Sequence, residues 1–337
     1  MKLLNYIAAF SLSLVSMLAF AQPVEEDYYQ MVTIPAPEGV LLEVGGLATL
    51  PDGRVAISTR RGDVWMVENP YMRAGEVPRF TLFAQGLHES LGLAHYQNSL
   101  FTAQRGELTR LEDSNGDGMA DVYETVFSWP LSGHYHEYSF GPKIDSEGNM
   151  YVTANVAFGD QEWWRGESRV KWRGWTMKIS QDGEMTPWAT GMRSPCGIGL
   201  IDGELFYDDN QGDWIGSGAI WHVKKGAFTG HPAGLKWSDE PNAPVEVNQE
   251  TFYSTFDERR IKDDGRAIKP ANIQNEKDPL TMVKARETFP EITLPAVWLP
   301  HSILGVSNSE ILKDETNGGF GPFAGQVFVG DQGQSKI

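Results

Sequence analysis

Short apolar runs, separated by glycine, proline and Asp-Gly turns, make up most of the chain, and long amphipathic helical patterns are nearly absent. One unit recurs: a short apolar strand, a turn, and a second apolar strand that ends in small or polar residues. It occurs in GLATLPDGRVAIST (46–59), GLAHYQNSLFTAQ (92–104), FGPKIDSEGNMYVTAN (140–155), GIGLIDGELFYDDN (197–210) and, less fully, FAGQVFVGDQ (323–332). This pattern predicts an all-β protein built from paired strands.

The spacing of these units is that of a β-propeller. Their second strands are expected to begin near Val55, Leu100, Met150, Leu205 and Val327, and the first three spacings of 45, 50 and 55 residues are close to the period of propeller blades. Candidate outer strands are RGDVWMV (61–67), GELTRLE (106–112), WTMKIS (175–180) and AIWHVK (219–224). Four matches in order favour a propeller, in which strand ends build a shared mouth, over a sandwich of unrelated strand pairs.

The last spacing, of 122 residues, breaks the period. Residues 227–295 are rich in charge and proline. We predict that they form a long insertion with a short helix, packed over one face of a propeller domain that spans residues 22–337. The alternative is a degenerate blade hidden in the insertion. Because the chain stops at Ile337, soon after an inner strand, we expect a ring that is incomplete at its C-terminus or closed in an unrecognised way.

The first 21 residues form a separate element. Lys2, an apolar run to Phe20 and the small residues around Ala21 have the pattern of a secretory signal peptide cleaved after Ala21. An uncleaved membrane anchor is disfavoured by Asn5 and by several serines within the run. We therefore expect a periplasmic or secreted protein. Its formal net charge of −17 repels nucleic-acid phosphates, and its single cysteine, Cys196, excludes an internal disulfide.

The segment DSNGDGMADVYE (113–124) has the spacing of a calcium-binding loop. Oxygen ligands fall at the required positions, one of them a main-chain carbonyl, and are Asp113, Asn115, Asp117, Met119, Asp121 and Glu124. Gly118 occupies the position of the sharp turn. Because the flanking segments ELTRLE and TVFSW look like strands, Ca²⁺ is expected to stabilise a connection between strands. The alternative is a solvated acidic turn.

Two histidines precede the third unit, in SGHYHEYSFGPKID. If this segment is extended, His134 and His136 point to one side of it. Either imidazole could then act as a general base near neutral pH. A His-x-His pair can also bind zinc, although no third ligand is evident nearby. An ordinary aromatic-rich surface turn is the remaining alternative.

Polar residues at the predicted mouth are candidates for ligand binding. Arg193 precedes the first strand of the fourth unit, where a guanidinium could pair with a carboxylate or stabilise an oxyanion, unless it only binds loop carbonyls. Other polar residues end the second strands of the fourth and fifth units, namely Asp209, Asn210, Gln211, Asp331 and Gln332. Such clusters suit a pocket on the axis of the ring.

The blocks HEYSFGPKIDSEGNMYVT, TGMRSPCGIGL and LFYDDNQGDWIGSGAIWHVKKGAFTGHPAGLKW, in this order, resemble the glucose/sorbosone dehydrogenase group, over roughly residues 38–337. That group comprises six-bladed propellers related to quinoprotein sugar dehydrogenases, and similar exported bacterial chains are called membrane-bound dehydrogenases. The resemblance implies pyrroloquinoline quinone (PQQ) at the mouth, Ca²⁺ that helps to polarise it, a histidine that takes the hydroxyl proton and an arginine that stabilises the reduced cofactor. Arg193 matches this arginine, and Ser194 replaces the usual asparagine.

Two hypotheses for the function follow. In the first, the protein is a PQQ-dependent dehydrogenase that oxidises the alcohol or hemiacetal of a sugar, with His134 or His136 as the base, and passes electrons to a periplasmic acceptor such as a cytochrome. In the second, it is a non-catalytic or hydrolytic propeller that binds glycans or an exported protein. The missing asparagine favours the second hypothesis, as does the short spacing from the histidines to Gly141.

Overall fold

The structure is a computed structural model, and it describes residues 24, 27–157, 168–210, 214–215, 217–256, 260–261, 267–268, 281–322 and 324–337. The predicted signal peptide lies outside the described residues. The chain divides into two compact units, of which the smaller combines Met1–Thr33 with Asp314–Gln326. In this smaller unit the rings of Tyr29 and Phe320 pack with their centroids 5.1 Å apart. The larger unit, Ile34–Lys313 with Val327–Ile337, contains all of the described strands.

Antiparallel four-stranded sheets form most of the larger unit. In chain order, the first sheet contains β1 (Val44–Thr49), β2 (Val55–Thr59), β3 (Val64–Glu68) and β4 (Arg79–Ala84). The second sheet contains β5 (Ala94–Tyr96), β6 (Ser99–Ala103), β7 (Glu107–Glu112) and β8 (Val122–Ser128). The third sheet contains β9 (Ser139–Ile144), β10 (Met150–Ala154), β11 (Trp175–Ile179) and β12 (Met185–Thr190). The fourth begins with β13 (Ile198–Ile201), β14 (Glu204–Asp209) and β15 (Gly218–His222). After the short hairpin β16 (Arg260–Ile261) and β17 (Ala267–Ile268), β18 (Val297–Leu299) completes the fourth sheet, and β19 (Asn308–Lys313) pairs with β20 (Val327–Asp331).

The sheets are arranged radially around their first strands. β1 contacts β5, β5 contacts β9, β9 contacts β13, and β13 contacts β19. The second strand of each sheet lies one place further out, and β6 and β10 are buried along their whole length. This arrangement confirms the predicted all-β propeller and excludes a two-layer sandwich. The predicted starts of the second strands are also confirmed to within one residue, and all four predicted outer strands are the third strands of their sheets.

The hydrophobic core lies between neighbouring sheets, because strand alternation directs every second side chain to one face of its sheet. Leu100 and Leu111 of the second sheet pack with Val64 of the first. On the other side of the second sheet, Phe101 packs in one cluster with Val152 of the third. The apolar alternation that identified the strands therefore also supplies the contacts that hold adjacent sheets together.

Between β15 and β18 the chain leaves the fourth sheet and returns to it. This excursion contains a 3₁₀-helix (Pro232–Trp237), α1 (Gln249–Phe256) and α2 (Thr281–Ala285). Phe228 and Phe252 are fully buried there with ring centroids 5.5 Å apart, so the described part of the segment has apolar contacts of its own. A short 3₁₀-helix (Arg73–Gly75) also lies in the first sheet's β3–β4 connection. Among the described residues, no helix combines the length and the apolar character needed to cross a bilayer.

Candidate functional site at the propeller mouth

The mouth is the end of the propeller where each second strand finishes beside the loop that leads into its first strand. Asp209 ends β14, and its carboxylate accepts hydrogen bonds from the main-chain amides of Arg193 (2.7 Å) and Ser194 (2.9 Å). Asp331 ends β20 and accepts from the amides of Val306 (3.0 Å) and Ser307 (2.9 Å) in the same way. Both carboxylates therefore fix loops, and the cofactor contact predicted for them stays a prediction.

Burial shifts the pKa values of Asp208 and Asp209, two adjacent acids on β14. Burial raises the pKa of Asp209 to about 6, although the amides of Arg193 and Ser194 oppose the shift. Burial also raises the pKa of Asp208 well above its ordinary value. Asp208 Oδ1 accepts from the amide of Gly197 at 2.9 Å, and a Cβ added at Gly197 would lie only 2.3 Å from the Asp208 carboxylate. A glycine is thus required where the loop meets this strand.

His136 lies against the Arg193–Ser194 loop in one defined tautomer. Its Nδ1 is 2.9 Å from the carbonyl oxygen of Val156. Because a carbonyl only accepts, Nδ1 carries the proton and Nε2 is left as an acceptor. The Ser194 hydroxyl, 3.0 Å from Nε2, therefore donates to it. Arg193 Nη1 in turn donates to Ser194 Oγ at 3.4 Å. A histidine, a hydroxyl and a guanidinium thus meet at the mouth.

His136 is a neutral base at physiological pH. Burial lowers its pKa to about 4, the positive charge of Arg193 adds to this shift, and the hydrogen bond to Val156 opposes it. The imidazole is therefore unprotonated throughout the neutral range, with its Nε2 lone pair directed at Ser194 Oγ. This is the state that a general base requires.

The structure distinguishes the two candidate histidines. The segment around them is not extended as supposed: the amide of Glu137 donates to the carbonyl of His134 at 3.2 Å, which closes a turn. His134 Nδ1 accepts from the main-chain amide of His136 at 3.2 Å, and its ring packs against Tyr135 at 4.6 Å. His136 alone of the pair contacts Ser194. The zinc alternative gains no support, because the described residues contain no group of three or more His, Cys, Asp or Glu placed to hold a metal ion.

A third histidine, His231, was missed by sequence reasoning. It is fully buried and caps the 3₁₀-helix, because its Nδ1 accepts from the amide of Ala233 at 3.3 Å. Burial lowers its pKa well below the ordinary value, and the positive charge of Arg193 lowers it further. His231 thus belongs to the same electrostatic neighbourhood. The only signal in the sequence was a histidine before a helix-starting proline, which indicates a cap and not a site.

The remaining predicted cofactor residues differ in placement. The amide of Asn210 donates to Asp209 at 2.9 Å, while its side-chain oxygen is buried without a hydrogen-bond partner in the part of the chain that is described. Gln332 is exposed, and its amide donates to the carbonyl of Ser307 at 2.9 Å. Gln211 lies outside the described residues. Asn210 is therefore the predicted residue with an unsatisfied acceptor near Arg193.

The predicted calcium loop connects β7 to β8, as its strand-like flanks indicated. Asp113 accepts from the amides of Gly116 (2.7 Å), Asp117 (3.2 Å) and Gly118 (2.8 Å). Gly118 has the left-handed φ of +91° that the sharp turn needs. The last ligand, Glu124, instead forms an ion pair with Arg110 at 2.6 Å, so it would have to leave this partner to complete a cage. Calcium binding stays a prediction.

Thermal unfolding with and without Ca²⁺ tests whether this loop binds the ion. If Ca²⁺ binds the folded protein at 100 times its Kd, unfolding becomes about 2.7 kcal/mol less favourable. For a domain of this size that is roughly a 5 °C rise in Tm. Asp113→Ala should abolish the rise, whereas Asp52→Ala, in the exposed Asp-Gly turn before β2, should keep it. An unchanged transition after calcium removal would show that the loop is empty.

Solved structures of similar architecture include sugar dehydrogenases. The soluble aldose sugar dehydrogenase of Escherichia coli in its apo form superposes with a TM-score of 0.55 at 15% identity, covering 86% of this chain and 80% of that chain. A protein of Thermus thermophilus assigned as an oxidoreductase (glucose dehydrogenase) gives a TM-score of 0.52 at 18% identity, covering 86% and 76%. The resemblance to glucose dehydrogenase-type propellers is thus confirmed at the level of the fold.

Comparisons at the level of sequence are less specific. No curated protein matches the chain significantly. A family model described as a domain of unknown function, DUF7133, matches residues 61–286, which include the first-sheet turn before β3, the loops of His136 and Arg193, and the end of β14. Since the match spans well over half of the sequence, the chain belongs to the DUF7133 family.

Proposed function

We propose that this protein is an exported quinone-dependent dehydrogenase that oxidises the alcohol or hemiacetal of a sugar. One observation carries the proposal: the acceptor nitrogen of His136 lies 3.0 Å from Ser194 Oγ, and Arg193 donates to the same oxygen at 3.4 Å. A neutral base and a fixed cation thus share one point at the mouth. This combination suits the removal of a hydroxyl proton beside a group that gains negative charge.

Residues at the mouth would have separate roles in this reaction. A substrate hydroxyl that takes the place of Ser194 Oγ donates its proton to Nε2 of His136. The Val156 carbonyl holds the opposite ring nitrogen at 2.9 Å, so the tautomer is fixed and the protonated ring keeps a partner. Asp209 binds the main-chain amides of Arg193 and Ser194, which sets the position of the loop against His136.

PQQ is proposed as the cofactor from the family resemblance. It would accept the hydride from the substrate carbon while the substrate becomes a carbonyl compound. The residues fit an anionic group in one respect, because Arg193 supplies a cation. The side-chain oxygen of Asn210, buried without a hydrogen-bond partner among the described residues, is an acceptor and would instead take a hydrogen bond from a substrate hydroxyl. Gln211 and Gln332 are proposed as further contacts. The Ca²⁺ ion that would help to polarise the quinone is proposed from the same resemblance, and no set of ligands for it is assigned.

The number of blades, the export of the protein and its electron acceptor are also proposals. We infer a ring of the six-bladed type, export by the signal peptide at residues 1–21, and transfer of electrons to a periplasmic acceptor such as a cytochrome. The family resemblance of the sequence supports the first inference, and the sequence pattern of residues 1–21 supports the second.

Dye reduction tests the proposal. Purified protein supplied with PQQ and Ca²⁺ should reduce an artificial electron acceptor in the presence of aldoses, and protein without PQQ should not. Because His136 must be unprotonated and its pKa is lowered to about 4, kcat/KM should stay level from about pH 5 upwards and fall about tenfold per pH unit below 4. Absence of both cofactor binding and turnover across a broad sugar panel would refute the proposal.

The Ser194–His136 hydrogen bond also favours a second candidate, ester hydrolysis. Ser194 would be the nucleophile, His136 its base and the Val156 carbonyl the orienting group. It ranks second because the amides of Arg193 and Ser194 already bind Asp209 and cannot serve as an oxyanion hole. Ser194→Ala separates the candidates: hydrolysis would be lost, whereas dehydrogenation would persist.

A further inference from the structure

We propose that Arg105, supported by Arg173, is a positioning residue that fixes the turn carrying His136; its role in catalysis rests on the proposed function. Neither arginine belongs to the loops at the mouth that the sequence singled out. Both reach the turn of residues 134–138 from elsewhere in the fold: Arg105 lies between β6 and β7 of the second sheet, and Arg173 lies just before β11 of the third.

Arg105 binds three main-chain carbonyls of this turn. Its Nε donates to Glu137 O at 3.2 Å, and its Nη2 donates to Tyr135 O at 2.5 Å and to His134 O at 3.4 Å. The guanidinium is itself held by Glu89, 3.1 Å away, and lies 4.7 Å from the ring centroid of Tyr138. Glu89 and the ring of Tyr138 therefore hold the guanidinium in place, and its N–H groups point to the carbonyls of the turn.

Arg173 continues the same set of contacts from the interior. Its side chain is fully buried; Nη1 donates to Tyr138 O at 2.8 Å, and Nη2 donates to the carbonyl of Arg105 at 2.5 Å. The remaining carbonyl, that of His136, accepts from the amide of Tyr138 at 3.0 Å. Every carbonyl from residue 134 to residue 138 except that of His136 is thus bound by an arginine.

The contacts of Arg105 and Arg173 to the carbonyls of this turn, here called the clamp, differ in chemistry from those at the other loops of the mouth. In the fourth sheet and the β19–β20 pair, a carboxylate at a strand end binds loop amides, as Asp209 and Asp331 do. Here, cationic side chains bind loop carbonyls. A guanidinium offers several donors in a rigid plane and so fixes orientation as well as distance, which a lysine ammonium does not do. The positive charge of Arg173 also lowers the pKa of His136.

Loss of the clamp should therefore change the pKa of the His136 imidazole. Without Arg105, three carbonyls of the turn would turn towards water, the imidazole would become more hydrated, and its proton affinity would rise. A residue that merely stabilised the fold would lower Tm without altering the titration of one particular histidine. That difference makes the proposal testable without any assay of sugar oxidation.

The experiment compares Arg105→Gln and Arg105→Lys with Arg110→Gln, by NMR titration of labelled histidines. Arg110 is a matched control, because it lies on β7 of the same sheet and pairs with Glu112 and Glu124. The chain has seven histidines, and the His136 signal is assigned by its loss in His136→Gln. Should Arg105→Gln fail to fold, Arg105→Lys, which keeps the charge, provides the measurement.

In the wild type the His136 midpoint should lie near pH 4, where burial places its pKa. Arg105→Gln should raise it by at least about one unit towards the ordinary 6.5, Arg105→Lys by less, and Arg110→Gln should leave it unchanged. With turnover, kcat should fall about tenfold or more at similar KM. An unchanged midpoint in Arg105→Gln, or an equal shift in Arg110→Gln, would overturn the clamp. A shifted midpoint in protein that oxidises no sugar would support the clamp and refute the proposed function.

Discussion

His136→Gln is expected to lower kcat for dye-coupled sugar oxidation by about 10²–10⁴-fold, the usual contribution of a positioned general base. Glutamine has no basic nitrogen that could take the place of Nε2, so the proton of the substrate hydroxyl loses its acceptor. Because the substitution leaves the proposed contact of Arg193 to the cofactor untouched, KM and PQQ affinity should change little. Steady-state kinetics and a fluorescence titration with PQQ measure the two effects separately.

His134→Gln is the matched control for this substitution. His134 accepts one hydrogen bond from a main-chain amide, at 3.2 Å, and loss of a single such bond costs about 1 kcal/mol. The loss of kcat should therefore stay below about tenfold. Equal losses in the two variants would contradict the assignment of His136 as the base, and retention of activity in His136→Gln would remove the base from the site altogether.

Asp209→Ala is expected to destabilise the fold by about 3–5 kcal/mol, because buried amides lose their charged acceptor and each unsatisfied donor costs about 1–3 kcal/mol. Asp209 is 1% exposed and accepts from the amides of Arg193, Ser194 and Asn210 at 2.7–2.9 Å. Urea unfolding followed by tryptophan fluorescence should show a lower midpoint with a similar slope. Activity should also fall, since the Arg193 loop loses its anchor.

Asp202→Ala provides the comparison, because it removes an aspartate from the same sheet without touching a buried amide. Asp202 lies in the β13–β14 turn with 71% of its side chain exposed and forms an ion pair with Lys313. Exposed pairs of this kind contribute about 0.2–1 kcal/mol. A similar loss in both variants would show that the contacts of Asp209 to the loop are not the source of the effect.

The sequence was sufficient to predict the strands but not the partners of the polar residues. Val55, Met150 and Val327 were identified as the first residues of second strands because apolar alternation and Asp-Gly turns are local signals. The polarity of Asp209 and Asp331 was also visible, and a pocket lining was inferred from it. Their actual partners are main-chain amides, which carry no sequence identity, so the pattern could not reveal this role.

The choice between the two histidines depended on long-range contacts. Alternation in an extended strand gave His134 and His136 equal status, whereas the observed turn directs only His136 to Ser194. Arg105 was equally invisible, since its partners are carbonyls roughly 30 residues away whose positions follow from the packing of two sheets. Contacts of this kind are set by the assembled ring and not by the neighbouring sequence.

The excursion in the fourth sheet has a consequence for the order in which the protein folds. In the second sheet, nine residues separate β7 from β8, whereas 74 residues separate β15 from β18. Closing the longer loop costs about 2 kcal/mol more in chain entropy. The first two sheets can therefore assemble through short connections, whereas one edge of β15 stays unpaired until the distant strand β18 reaches it. Because β14 of this late sheet carries Asp209, the Arg193–Ser194 loop that it binds should reach its final conformation late in folding.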